Sequence, residues 1–274
     1  MNTIAVRQNG IQSKFMRELN AIVTITMREI TLFFKSPGSL VMSFAMPLVM
    51  MGMLGGSLKQ NMAGGLGFGY GKYMLVGMLV NMLFMTTTSG LTSLVEDRAT
   101  DFTQEMMISP ISRYAIVVGK IIGTSFGAII GMLGTLLTGF FMGITLTVGQ
   151  MLAVLALSPL ICLSAGALAM IVIGLIKNNK VANMAVMILV MPQMFLSGAI
   201  IPVTNSSGVL FMLSRMMPMT YCLDLVRSVV YSGTSEYSSV VLFNPAVNLA
   251  AILSLTVICL CIGTMFFAKS EKSK

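Results

Sequence analysis

The feature that most constrains this chain is a series of apolar runs near 38–58, 73–95, 115–146, 151–176, 181–202 and 245–268. Each is long enough, at roughly 20 residues, to cross the hydrocarbon of a bilayer as a helix. In lipid every backbone N–H and C=O must be paired within the protein, which leaves helices and closed barrels, and long runs without alternation read as helices. Of the 274 residues, 56% are hydrophobic and 9% are charged, so no soluble catalytic domain fits beside the spans. The expected fold is an all-α integral membrane protein with six transmembrane helices. The third run exceeds one crossing and is expected to be tilted or broken, and no charge is expected deep inside any span.

Orientation follows from Lys and Arg, which are retained on the cytoplasmic side when they lie close to span ends. One side carries Arg7, Lys14, Arg17, Arg28 and Lys35, then Arg98, Arg113 and Lys120, then Lys177 and Lys180, then Lys269, Lys272 and Lys274; the other carries Lys59, Lys72, Arg215 and Arg227. Both termini are therefore expected in the cytoplasm. The net charge of +8 follows from this topology, and no basic, aromatic groove suggests nucleic acid as a partner.

Residues 1–37 form a cytoplasmic tail and an amphipathic helix whose scattered charges argue against a cleaved signal peptide. Ile11, Phe15, Leu19, Ile22, Ile30 and Phe33 share one helix face, opposite Lys14, Arg17, Arg28 and Lys35. Such a helix lies in the cytoplasmic headgroup boundary or packs on another subunit. Ser36-Pro37-Gly38 ends it and turns the chain into the membrane domain, 38–268, with a short tail at 269–274.

Gly119, Gly123, Gly127 and Gly131 recur every four residues. They line one face of the third span, as a close helix contact or a smooth wall along a substrate path requires. The loop at 203–244 is too apolar for a solvated connection. Its segment 206–230 reads as a hairpin re-entering the bilayer, or as an amphipathic helix on the outer leaflet. Asp224 and Arg227 stand three residues apart there and could neutralise each other on one helix face.

The chain has no histidine, which removes Ser/His and Cys/His catalysis and histidine metal sites. Cys162, Cys222, Cys259 and Cys261 have neither zinc-site nor disulfide spacing and read as small apolar fillers. The glycine run at 64–71 before Lys72 lacks the Gly and Ser/Thr positions of a phosphate-binding loop. No catalytic residue, metal site or cofactor is therefore assigned to this chain. The 28 methionines supply adaptable apolar surface, as filler or for amphiphilic ligands.

Charge concentrates between the second and third spans, at 96–113. Asp101 and Gln104 fit a capping box and Ser109-Pro110 a helix end, which gives a short surface helix carrying Glu105. Glu96, Arg98, Glu105, Ser109-Pro110, Ser112-Arg113 and Gly119-Lys120 resemble the pattern of the ABC-2 type transporter permeases, although Thr100-Asp101 stands where that family often has Gly-Thr. A second block agrees, from Pro192, Phe195-Leu196-Ser197-Gly198 and Pro202 to Pro218, Thr220-Tyr221, Asp224 and Arg227; Arg28-Glu29 and Ser36-Pro37 extend the likeness to the N-terminal helix.

The resemblance implies a half-transporter in a bacterial cell membrane. Two permease subunits, identical or different, form the pathway above two copies of a separate ATPase, and ATP and Mg2+ bind there and not on this chain. Residues 96–113 would be the coupling helix, with Glu96, Arg98, Asp101, Gln104, Glu105, Ser109, Pro110 and Arg113 meeting the ATPase. The N-terminal segment looks like that of drug and antibiotic exporters, so drug-like or lipophilic cargo is expected. A polysaccharide or lipid-linked cargo is the alternative, and an ATP-independent carrier or channel the more distant one. Asn81, Thr86, Thr87, Ser89, Asn183, Gln193 and Phe195 are the pathway candidates, with interhelical bonding or packing as their other reading.

Overall fold

The computed structural model describes residues 2–62, 68–99, 112–176, 178–203 and 207–272, with side chains for 15–53, 68–97, 112, 114–176, 178–203, 207–266 and 269. Among these there are eleven helices and no strand: α1 (Asn2–Lys35), α2 (Pro37–Met62), α3 (Tyr70–Gly90), α4 (Ser93–Ala99), α5 (Arg113–Phe141), α6 (Val148–Ile173), α7 (Asn179–Leu196), α8 (Gly208–Met216), α9 (Pro218–Val230), α10 (Tyr237–Val240) and α11 (Pro245–Lys272). Five spans, running through α3–α4, α5, α6, α7 and α10–α11, are long and apolar enough to cross a membrane. Two bent pairs, α1–α2 at 76° and α8–α9 at 84°, pass the same test jointly and raise the number to seven.

The element boundaries follow local chemistry. Pro37 has no N–H to continue α1, and the chain turns there, with the Ser36 and Ser39 hydroxyls 2.8 Å apart. The third apolar run is one unbroken helix that stops at Phe141, short of the expected 146. Gly143 adopts φ +73°, Gly143 N donates to Phe140 O and Ile144 N to Gly139 O at 2.8 Å, the two bonds of a Schellman stop. Thr147 and Gln150 then cap each other reciprocally to open α6. The fifth run also ends early, at Leu196, where the chain leaves the helix and Gly198 takes φ +84°.

α3 is the central helix. Tyr73, Leu75, Val76, Leu79, Val80, Leu83 and Phe84 are all fully buried, and α2, α5, α6, α7 and α9 surround it. A helix that is apolar all round has no solvated face to offer and takes the middle of the bundle.

The glycine stripe resolves as a close helix contact, and its main partner is the amphipathic helix, not another span. A Cβ on Gly119 would lie 3.2 Å from Ile22 O, on Gly123 2.5 Å from Glu29 Cβ, and on Gly127 2.8 Å from the Phe33 ring; Gly131 faces Met82 of α3. Thr26 Oγ1 reaches Gly119 O at 3.2 Å across the contact. The face of α1 turned inward therefore holds Ala21, Ile25 and Glu29, with Ile22 and Phe33 half-buried, while Phe15 and Leu19 of the expected apolar face are exposed.

Candidate functional site

Three features are built on this frame. The first lies where α1, α4 and α5 meet, flanking residues 100–111. Ile22, Ile25 and Glu29 follow helical spacing, so the stripe that seats α1 on α5 ends in a carboxylate. Lys120, seven residues into α5 and 0% exposed, sends Nζ 2.7 Å to Glu29 Oε1 and 2.6 Å to Asp97 Oδ2 of α4. Arg28, 32% exposed, closes the group with Nη2 2.7 Å from Asp97 Oδ1 and Nη1 3.1 Å from Glu29 Oε1. Lys120 Nζ also donates to Ser93 Oγ at 2.9 Å.

Among the described residues two cations meet two anions, and each buried charge of the four has at least two opposite partners. That arrangement is what permits charge in a low-dielectric interior. Two further bonds brace the same end: Glu18 accepts from Ser112 N at 2.9 Å, and Asn179 of α7 donates to Glu96 at 3.1 Å. A displacement applied between residues 99 and 112 would thus reach α1, α3–α4, α5 and α7 together.

The charges of this cluster sit near the ends of the membrane-length segments Tyr70–Asp97 and Tyr114–Phe141. Lys120 and Asp97 belong to apolar segments and are buried because α1 covers them. Of the coupling residues named from the sequence, Glu96 is exposed and bonded to α7, and Arg98 and Arg113 lie in α4 and at the start of α5 with no side-chain description. Asp101, Gln104, Glu105, Ser109 and Pro110 lie outside the described residues. Sequence reasoning missed Glu29, Asp97 and Lys120 as a group; the available signal was Glu29 one turn after Ile25 in the buried stripe.

The second feature is a cavity of about 230 Å³ between α2, α3 and α7. Eight of its fourteen lining residues are methionine, and Asn81, Ser89 and Asn183 supply the polar groups. Asn81 is 6% exposed and its Nδ2 has no protein acceptor among the described residues. The other four pathway candidates are not among the lining residues. Thr87 is fully buried and Thr86 half-buried near Gly131. Gln193 is also buried: its Nε2 donates to Leu189 O, and its Oε1 accepts from Met219 N, linking α7 to α9. Phe195 is exposed on the surface.

The third feature closes the opposite end of the bundle. The backbone after α7 folds onto α3, where Gly198 O accepts from Tyr73 Oη at 2.9 Å and from Arg227 Nη2 at 2.8 Å, and Tyr70 Oη donates to Ile200 O at 3.0 Å. Arg227 is 1% exposed and its guanidinium carbon lies 3.6 Å from the Tyr73 ring centre. Asp224 accepts from Leu242 N at 2.7 Å, Phe243 N at 2.8 Å and Asn248 Nδ2 at 2.8 Å.

Asp224 and Arg227 are therefore buried on one helix with no ion-pair contact between them, and each bonds a different element, although Arg227 Nε has no partner among the described residues. The carboxylate anchors α11 and the guanidinium anchors the segment after α7. Asp224→Ala would orphan two backbone N–H groups and the Asn248 amide. It is expected to cost about 3 kcal/mol, at about 1 to 3 for each orphaned donor and with partial relief by water. Thermal unfolding of the purified chain checks this, and an unchanged transition would contradict it.

No curated protein matches this sequence. The sequence model of the ABC-2 type transporter matches residues 20–231, a stretch that runs from α1 through the glycine-stripe contact, the charge cluster and the cavity to the end of α9. With most of the chain covered and a bundle of helices fit to cross a membrane several times, this protein belongs to the ABC-2 type transporter family, as a multi-pass permease that is not itself a catalyst.

Proposed function

We propose that this chain is the membrane-spanning subunit of an ATP-binding cassette exporter, moving drug-like or lipophilic compounds out of a bacterial cell. ATP and Mg2+ bind to two copies of a separate ATPase, and a second permease chain, identical or different, completes the pathway. The observation that carries this reading is the buried charge cluster. It fixes α4 and α5, the two flanks of residues 100–111, and α1 in one block, so that a push from a docked ATPase on that segment is passed to the bundle. The 100–111 end then faces the cytoplasm, as the Lys and Arg distribution requires. Six spans cross the bilayer, and the elbow of α8 and α9 sits on the far side.

The cavity supports an apolar cargo. Methionine side chains adapt to varied shapes, and an unpartnered buried amide favours a neutral molecule with one hydrogen-bond acceptor over an ion. Met187 and Met191 line it while remaining exposed, so a second permease on this face would complete its wall.

Purification from native membranes in mild detergent tests the partnership: a Walker-type ATPase should come down with the chain and be lost when residues 101–109 are scrambled. Replacing both Glu105 and Arg113 with glutamine should lower transport-stimulated ATP hydrolysis about tenfold or more, the scale of one or two lost charge-assisted bonds, while the thermal transition stays in place. Transport at the native rate in that double variant would count against the coupling role.

A further inference from the structure

α8 is poorly embedded in the bundle. Of its nine residues Ser214 alone is buried, whereas α9 beyond the 84° bend is buried along most of its length. Val209, Leu210, Met212 and Met216 project from α8 as exposed apolar groups. Among them stands Arg215, its guanidinium carbon 3.7 Å from the Phe211 ring centre and 5.0 Å from that of Phe243. Tyr221 stacks on Phe243 with ring centres 5.6 Å apart and donates its hydroxyl to Arg215 O at 2.8 Å. Among the described residues no carboxylate lies within ion-pair distance of Arg215.

A guanidinium packed on aromatic rings retains its N–H donors, in the planar fork that matches a phosphate. Aromatic side chains with one polar tip, and a cation rising from an apolar surface, are what the boundary between hydrocarbon and headgroups selects. A free phosphate would satisfy Arg215 and leave the apolar rim in water; a phospholipid satisfies both. We propose that α8 lies along the headgroup boundary of the leaflet at this end, with Arg215 binding the phosphodiester of a lipid. This departs from a hairpin that carries both arms toward the bilayer centre: α9 is sheltered by protein, and α8 stays at the surface.

The chain contains no tryptophan, so Met212→Trp places a single fluorophore on the exposed face. The full-length variant goes into nanodiscs of phosphate-free galactolipid doped with a small fraction of phosphatidylcholine spin-labelled on its headgroup. Arg215 should gather the scarce phospholipid, so that quenching corresponds to a local phospholipid fraction roughly fivefold above random mixing. Arg215→Gln should remove the excess, and Arg215→Lys should keep part of it, with thermal transitions unchanged. Quenching at the random-mixing level, or quenching that is the same with Arg215 intact as in the Arg215→Gln variant, would overturn the phosphate contact. Strongest quenching by lipids brominated at mid-chain would place α8 too deep, and no quenching by any lipid would mean that protein covers this face; either would overturn the proposal.

Discussion

Replacing Lys120 with methionine is expected to lower the unfolding free energy by about 3 kcal/mol, at the low end of the range for removing one partner from a buried ion pair. Lys120 is fully buried and contacts both Glu29 and Asp97. Among the described residues its loss leaves two carboxylates facing one guanidinium, an excess of negative charge in a site closed by α1. Arg28 still touches both acids, which keeps the loss at this end of the range.

The balance of charge among the four described residues supplies a second test that does not depend on a single variant. Asp97→Asn combined with Lys120→Met leaves Arg28 facing Glu29, one cation and one anion, and should recover most of the lost stability. Thermal unfolding in detergent measures both. A single Lys120→Met chain that melts like the parent, or a double variant that is weaker than the single, would sink the view that charge balance holds this junction.

The second large effect is expected from the smallest substitution. Alanine favours a helix over glycine by about 1 kcal/mol, so Gly77→Ala in the middle of α3 would stabilise an isolated helix. In this fold the added Cβ would collide with Ala199 O and stand 2.7 Å from its carbonyl carbon. Those are backbone atoms with no rotamer to change, so segment 197–203 must move. Its movement would strain the bonds from Tyr73 and Arg227 to Gly198 O.

Overpacking of this kind costs about 1–3 kcal/mol, and more when backbone must shift, which outweighs the helix gain. A net loss of about 2 kcal/mol is expected, together with faster hydrogen exchange at 197–203 than in the parent. Gly149 in the first turn of α6 has nothing within 4 Å of its added Cβ, so Gly149→Ala should be neutral or slightly stabilising. If both variants behaved alike, helix propensity and not the close approach would be setting the outcome.

These cases show where reading from sequence succeeded and where it stopped. The apolar runs marked the helices because length and lack of alternation are local properties. Their ends shifted where turn chemistry outweighed hydropathy, as at Gly143 and at Ser197-Gly198, whose neighbours Ile144 and Ala199 are apolar and disguised the stop. Asn81, Ser89 and Asn183 line the cavity, but Gln193 and Phe195 do not, since spacing along α7 does not reveal which face meets α9. Asp224 and Arg227 likewise make no direct ion-pair contact, although the guanidinium still attracts the carboxylate. Three residues along a helix bring side chains within reach, yet the carboxylate bonds residues 242–243 and Asn248 of α11 while the guanidinium bonds the segment after α7.

The sequence by itself determined that this is a helical membrane protein of the ABC-2 type, because bilayer length, the scarcity of charge and the placement of its few motifs are written residue by residue. Only the tertiary structure decided what the glycine stripe holds, that Glu29, Asp97, Lys120 and Arg28 come together in one buried ion-pair cluster, and that α8 and α9 have different surroundings. Those outcomes join residues such as Arg28 and Asp97, or Gly77 and Ala199, that are far apart in the chain. A buried charge or a bare backbone takes its meaning from whichever distant atom arrives beside it, and no local pattern carries that information.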